Sequence, residues 1–200
     1  MAVITLTEVP GATPEIYDAI NDRIGTADPA NYPAGLLSHT AAVSDEGMLI
    51  IDVWDEPGAL GRFFETANVA GAMQELGVAA REPRIVPVHN RIRRGAGTHA
   101  GVVMLFESDS LTAGQYDAMI ARMPAHSGDG SRHPAFSHTI GATEGGGVVV
   151  VDLWESPDAF GRFAQEQIAP AAQAAGIGRI EPRFLPVHHH ATVDAPVGAR

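Results

Sequence analysis

The sequence predicts an α+β fold made of two tandem domains, each with the element order β-α-β-β-α-β. Two observations predict it. The first is a repeat, since the second half of the 200-residue chain restates the first at an offset of 99 to 100 residues. Tyr17-Asp18-Ala19 returns as Tyr116-Asp117-Ala118, Ser38-His39-Thr40 as Ser137-His138-Thr139, and Pro87-Val88-His89 as Pro186-Val187-His188. A period near 100 is too long for a solenoid repeat and right for a whole small domain. The second observation is that both copies pass through the same succession of strand-like and helix-like patterns.

The elements of one copy follow in order. Residues 2–8 are β-rich and apolar and read as a strand, punctuated by Pro10-Gly11. Thr13-Pro14-Glu15 then supplies an N-cap, a proline at the first helical position and an acidic first turn. Ile16, Tyr17, Ile20 and Ile24 follow at helical spacing. Residues 25–35 are loop-like. Residues 36–43 and 48–54 are two strands around Ser44-Asp45-Glu46-Gly47, a hairpin signature. A second helix is expected from Pro57 to Leu76, ending at Gly77, and a last strand over 84–89. The second copy repeats this with an N-cap-like Thr112, a hairpin at 143–147 and a final strand at 183–188. The expected domains are residues 1–90 and 100–190, with a linker at 91–99 and a polar tail at 191–200.

This order is the split βαβ, or ferredoxin-like, motif, which places both helices on one face of a four-stranded antiparallel sheet. Along the third strand, Leu49, Ile51 and Val53 form a uniformly apolar row, suited to the helices. The alternate row, Met48, Ile50, Asp52 and Trp54, is too apolar for solvent and too polar for a dry core. The second copy agrees. The expected solution packs the two sheets face to face within the chain, with a lumen between them.

Composition narrows the chemistry. There is no cysteine, which removes thiolate nucleophiles, thiolate metal sites and disulfides. All 13 basic residues are arginine, so no lysine is present for a Schiff base. A net charge of −11 argues against nucleic acid and anionic membrane as partners. Arg91, Arg93 and Arg94 read as a solvated linker cluster. No apolar run approaches the roughly 20 residues that span a bilayer, and the N-terminus reads as a strand, so a cytoplasmic protein is expected. Lysine avoidance with abundant Ala, Gly and Arg points to a GC-rich, bacterial genome.

The hairpin fixes one constellation. A two- or four-residue loop pairs positions whose numbers sum to 91, so His39 faces Asp52, Ala41 faces Ile50 and Leu37 faces Trp54. In the second copy the glycine-rich turn has one residue more. A three-residue loop with a glycine bulge absorbs it and sets His138 against Asp152. Two His–Asp pairs are therefore expected in the lumen. A carboxylate fixes the tautomer of an imidazole and raises its basicity, which suits a general base for a phenolic or enolic proton. The same pair also reads as a satisfied buried polar contact without chemistry.

Asp52-Val53-Trp54-Asp55-Glu56-Pro57-Gly58-Ala59-Leu60 and Asp152-Leu153-Trp154-Glu155-Ser156-Pro157-Asp158-Ala159-Phe160 resemble a segment of the dimeric α/β barrel superfamily. Within it, the chain is most similar to antibiotic biosynthesis monooxygenase-like domains. Members usually dimerise to form the barrel, so the tandem repeat implies an intrachain pseudo-dimer, with a further homodimer left open. The resemblance implies a cofactor-independent oxygenase acting on a small hydrophobic or aromatic, polyketide-like substrate, with no flavin and no metal. His39 and His138 would be bases and Asp52 and Asp152 their orienters. Trp54, Trp154, Leu37, Phe136, Ile50 and Val150 would form the substrate walls, although each Trp also reads as packing. Haem binding is the third reading after a non-catalytic metabolite binder. It is disfavoured because residues 57–77 and 157–176 lack the histidine that haem-degrading relatives carry on that helix.

The remaining polar residues read as bland. Tyr17 and Tyr116 lie among apolar neighbours and read as core. His188, His189 and His190 point in alternating directions from a strand and do not converge on a metal. His126, Asp129 and His133 read as surface loop residues, or as a lid over one end of the lumen. The unlike loops 25–35 and 124–135 predict two non-equivalent pockets.

Overall fold

The computed structural model describes residues 1–94, 99–126 and 132–193; Asp129 and positions 194–200 of the expected tail lie outside them. The fold is α+β, with eight antiparallel strands among the described residues. Strands β1 (Val3–Pro10), β2 (Leu36–Ser44), β3 (Gly47–Trp54) and β4 (Arg84–Arg93) come from the first copy, with helices α1 (Pro14–Ile24), α2 (Pro57–Thr66) and α3 (Val69–Glu75). The second copy gives β5 (Val102–Ser108), α4 (Ala113–Ile120), β6 (Ser137–Ala142), β7 (Val148–Trp154), α5 (Pro157–Phe163), α6 (Ala169–Ala174) and β8 (Arg183–Thr192). Among the described residues, no helix is long and apolar enough to cross a membrane.

Local sequence explains most boundaries. Thr13 caps α1 by accepting from the Ile16 amide, and Gly25 ends it in the left-handed region at φ 81°. Thr112 and Gln115 form a capping box on α4. The expected second helix breaks at Asn68, a non-glycine residue at φ 44°, which separates α2 from α3. The repeat offset falls there from 100 (Phe63 and Phe163) to 99 (Gly77 and Gly176), so the first copy holds one residue more. The second copy instead runs from α5 to α6 through a π-helical stretch, Ala164–Ile168. The last strands outrun expectation. β4 continues through Arg93 into the expected linker, because Arg91, Ile92 and Arg93 pair with Thr139, His138 and Ser137.

The chain forms two compact units. One contains Met1–Ile85 and the chain from Val187, and the other Val86–Pro186. Most of β4 thus lies in the second unit, and the end of β8 in the first. The first unit has strand order β1-β3-β2-β8, and the second has β8-β5-β7-β6-β4. In the second unit the start of β8 lies beside β5, as the ferredoxin-like order requires, and β4 of the first copy extends the other edge beside β6; in the first unit the end of β8 extends the edge beside β2.

The hairpin registers are those the turns require. His39 pairs with Asp52, Ala41 with Ile50 and Val43 with Met48. In the second unit His138 pairs with Asp152, and Gly146, at φ 84°, closes a three-residue loop between Thr143 and Gly147. One expected pair is displaced. A bulge at Leu37 sets Leu36, not Leu37, against Trp54.

The facing of the sheets is opposite to the sequence expectation. Met48 packs with Tyr17 of α1, and Trp54 with Leu60 of α2. In the second unit Val148, Val150 and Trp154 pack with Tyr116, Phe160 and Phe163. The row holding the aspartate therefore faces the helices. Leu49, Ile51 and Val53 lie on the other face and are equally buried, at 3%, 3% and 5% exposure. With both rows buried, alternation alone carries no sign of which face meets the helices.

Candidate functional site

In each unit a tyrosine, a histidine and an aspartate form one hydrogen-bonded chain between sheet and helices. The Tyr17 hydroxyl lies 2.6 Å from His39 Nε2, and His39 Nδ1 lies 2.6 Å from Asp52 Oδ1. The counterpart distances are 2.5 Å for Tyr116 to His138 and 2.7 Å for His138 to Asp152. The rings of tyrosine and histidine stack, at interplanar angles of 12° and 13°. The tyrosines were expected to be core. They are buried, but each also supplies the third member of its chain. A Tyr-Asp-Ala repeat on a helix was the only sequence signal for this, and its apolar neighbours hid the hydroxyl.

Burial sets the direction of the hydrogen bonds. Burial first, then Tyr32 and the carboxylates of Asp52 and Asp18, pushes the Tyr17 phenol far above its usual 10. Burial and then Asp152 do the same to Tyr116. Each tyrosine therefore keeps its proton, and where the aspartate takes Nδ1–H the hydroxyl donates to the unprotonated Nε2. Nδ1–H then donates to the aspartate, which holds the imidazole in that tautomer.

The two units differ in the space beside this chain. Unit 1 has a cavity of about 90 Å³, lined by Thr7, Tyr17, Tyr32, His39, Asp52 and an apolar wall that includes Ile50, Trp54 and Phe63. The corresponding cavity of unit 2 is about 40 Å³. Register explains part of the difference. Thr5 and Thr7 stand opposite Asp52 and Ile50, whereas Met104 and Phe106 stand opposite Asp152 and Val150. The indoles respond to the same exchange. Trp54 Nε1 donates to Thr5 Oγ1 at 3.3 Å, whereas Trp154, with a methionine there instead, turns to Asp152 Oδ2 at 3.4 Å.

Two further imidazoles fill the second unit. His126 and His133 lie with ring centres 5.1 Å from His138 and 4.7 Å from each other. His133, expected at the surface, is 1% exposed. Burial, then His138, pushes His126 down to about 3 and His133 to about 4. Both are therefore neutral at pH 7. Among the described residues no group of three or more His, Asp or Glu side chains is placed to hold a metal. Both nitrogens of His138 are already hydrogen-bonded, and the His126 ring meets its two neighbours edge to face.

The other expected site residues separate. Ile50 and Val150 line their cavities and Trp54 lines that of unit 1, but Trp154 does not border the cavity of unit 2. It is enclosed by His133, Phe160 and Phe163. Leu37 borders neither cavity, because its bulge gives the place to Leu36. Phe136 precedes β6 and borders neither; its ring takes the Arg94 guanidinium at 5.9 Å. Arg94 also donates to the Pro134 carbonyl, so it is not the free linker charge expected. The histidines of β8 each find a separate partner: His188 on Asp18, His189 on Tyr32 and His190 on Thr40.

No protein-family model matches the sequence, and no curated protein is similar to it. Solved structures are similar in fold. A candidate monooxygenase from Lactobacillus acidophilus superposes with a TM-score of 0.67 at 11% identity, covering 96% of this chain and 96% of its own. One from Fusobacterium nucleatum gives 0.68 at 8% identity, covering 96% and 94%. An anthrone oxidase-like protein gives 0.50 at 17% identity, covering 100% and 96%. These likenesses, all at low identity, show a shared fold over nearly the whole chain.

Proposed function

We propose that unit 1 is a cofactor-independent oxygenase site for a small aromatic, polyketide-like metabolite. The observation that carries this reading is the Tyr17–His39–Asp52 chain ending at an apolar cavity of about 90 Å³. His39 Nε2 is occupied by the Tyr17 hydroxyl, so the proton moves in two linked transfers. An acidic C–H or O–H of the substrate gives its proton to the Tyr17 oxygen as Tyr17 gives its own to Nε2. Asp52 then holds the imidazolium.

For a diaryl methylene substrate, the carbanion reacts with oxygen to a hydroperoxide. Loss of water then leaves the ketone. The methylene loses two hydrogens and gains one oxygen atom, and the second oxygen leaves as water with those two hydrogens. No external reductant is needed. The similarity of fold to monooxygenases and to an anthrone oxidase-like protein supports this class of substrate. The chain in unit 2 has the same bonds but little space, so turnover is assigned to unit 1.

A non-catalytic metabolite binder is the second reading, favoured by the complete hydrogen bonding of His39. Oxygen uptake with anthrone-type and naphthol probes separates the two. An oxygenase loses about 100-fold or more in rate on His39→Asn, the usual contribution of a general base, while His138→Asn leaves the rate unchanged. A binder consumes no oxygen and keeps its affinity for the probe within a few-fold in His39→Asn.

A further inference from the structure

A second His–Asp pair grips each of the two tyrosines. His188 Nε2 lies 2.8 Å from Asp18 Oδ1, and His89 Nε2 lies 2.8 Å from Asp117 Oδ1. Each aspartate directly follows its tyrosine on the helix. The His188 ring meets the edge of Tyr17 at 5.4 Å and 90°, and His89 meets Tyr116 at 6.2 Å and 82°.

The strands are irregular at these two histidines. Val187 pairs with Ala42 and His189 with Ala41, which leaves His188 as the extra residue of a bulge. Val88 pairs with Gly141 and Asn90 with Ile140, which leaves His89 as the extra residue of another. A bulge interrupts the ladder and re-aims one side chain. Here the same interruption occurs in both units and aims the same residue type at the same pair. The loops, the hairpin turns and the second helices of the two copies have meanwhile diverged.

We propose that His188 and His89 are positioning residues, each clamping the first turns of its helix so that the tyrosine oxygen stays on the neighbouring imidazole. Tyr17 is then held on two sides, by the parallel His39 ring and the perpendicular His188 ring. The Asp18 carboxylate is 60% exposed and the His188 side chain 25%, so the pair adds little to global stability, as exposed ion pairs generally do. Its effect is local, on an oxygen that must stay within hydrogen-bond reach of Nε2. The catalytic consequence rests on the oxygenase reading, but the clamp itself does not.

The chain has three tyrosines, so fluorotyrosine labelling of the full protein gives three ¹⁹F signals, assignable with Tyr→Phe variants. His188→Ala is expected to move the Tyr17 signal by more than its line width and leave Tyr116 in place. His89→Ala is expected to do the reverse. His188→Gln restores the Tyr17 signal, since its amide nitrogen can take the place of Nε2 on Asp18. Asp18→Asn, on an exposed side chain, moves the Tyr17 signal as His188→Ala does, and serves if the latter fails to fold. An unmoved Tyr17 signal, equal movement of Tyr17 and Tyr116, or no restoration by glutamine overturns the clamp. Where turnover is measurable, His188→Ala lowers kcat roughly 10- to 100-fold with KM little changed, the pattern of a misplaced reacting group. Correct ¹⁹F behaviour without any turnover leaves the clamp standing and counts only against the oxygenase reading.

Discussion

Removing one hydroxyl from each copy has unequal effects, because the same bond sits in unlike surroundings. Tyr116→Phe deletes the donor to His138 Nε2 where the His138 side chain is 6% exposed and Tyr116 is 2% exposed. Nε2 is then left as a buried acceptor, beside a cavity of about 40 Å³ lined by apolar side chains and by His126 and His133. An unsatisfied buried polar group costs about 1–3 kcal/mol. Tyr17→Phe deletes the matching donor where the His39 side chain is 15% exposed and a cavity of about 90 Å³ adjoins it. Because that imidazole is more exposed, water replaces the hydroxyl there more readily, and the loss falls toward the net value of one hydrogen bond, about 0.5–1.5 kcal/mol. Urea denaturation of the two variants and the parent reads the difference, with both units followed separately through Trp54 and Trp154 by single Trp→Phe backgrounds. Equal losses, or a larger loss for Tyr17→Phe, would falsify the assignment of the dry chain to unit 2 and the wet one to unit 1.

Four further outcomes are expected. Thr7→Phe copies Phe106 into unit 1 and closes its cavity; probe binding is lost while far-UV circular dichroism is unchanged. Gly35→Ala places a Cβ 2.6 Å from Asp55 Oδ1 and 2.8 Å from Ala59 Cβ at φ 89°, so it destabilises by about 1–3 kcal/mol in denaturation. His126 and His133 have folded values near 3 and 4 against an ordinary 6.5, so the unfolded chain takes up their protons first as pH falls. Stability from this pair is complete above about pH 6.5 and declines as pH drops toward 4; Tm against pH for His126→Asn/His133→Asn shows a shallower acid limb than the parent. Trp154→Phe removes a donor from Asp152 while Trp54→Phe removes one from Thr5, so only the former perturbs the ¹⁹F signal of its neighbouring tyrosine, Tyr116.

What was legible in the sequence is local. The two-residue turn at Asp45-Glu46 and the three-residue loop after Thr143 set the registers by counting, so the His39–Asp52 and His138–Asp152 pairs follow from chain distance. The caps of α1 and α4 likewise depend on a few neighbouring residues. The duplication settles that two such units exist, because each copy carries a full set of elements.

Tertiary structure decided everything that depends on which buried surface meets which. Met48 and Leu49 are equally buried, so the pattern of β3 contains two apolar faces and no label for the helical one. That choice moves the His–Asp pairs from an expected lumen between sheets to the space under the helices, and makes Tyr17 and Tyr116 their partners. The reach of β4 and β8 is likewise invisible locally, since strand ends are fixed by the neighbours available for pairing. His133 looks like a loop residue because it follows the polar, glycine-rich run 127–132 and precedes a proline, yet its neighbours in space are His138, Trp154 and Phe163. The sequence by itself determined the pairs, the turns and the repeat, which are properties of residues a few positions apart. Only the folded chain decided which pair opens on a cavity and which is closed, because that turns on Thr7 against Phe106, and on whether a loop histidine is drawn into the space.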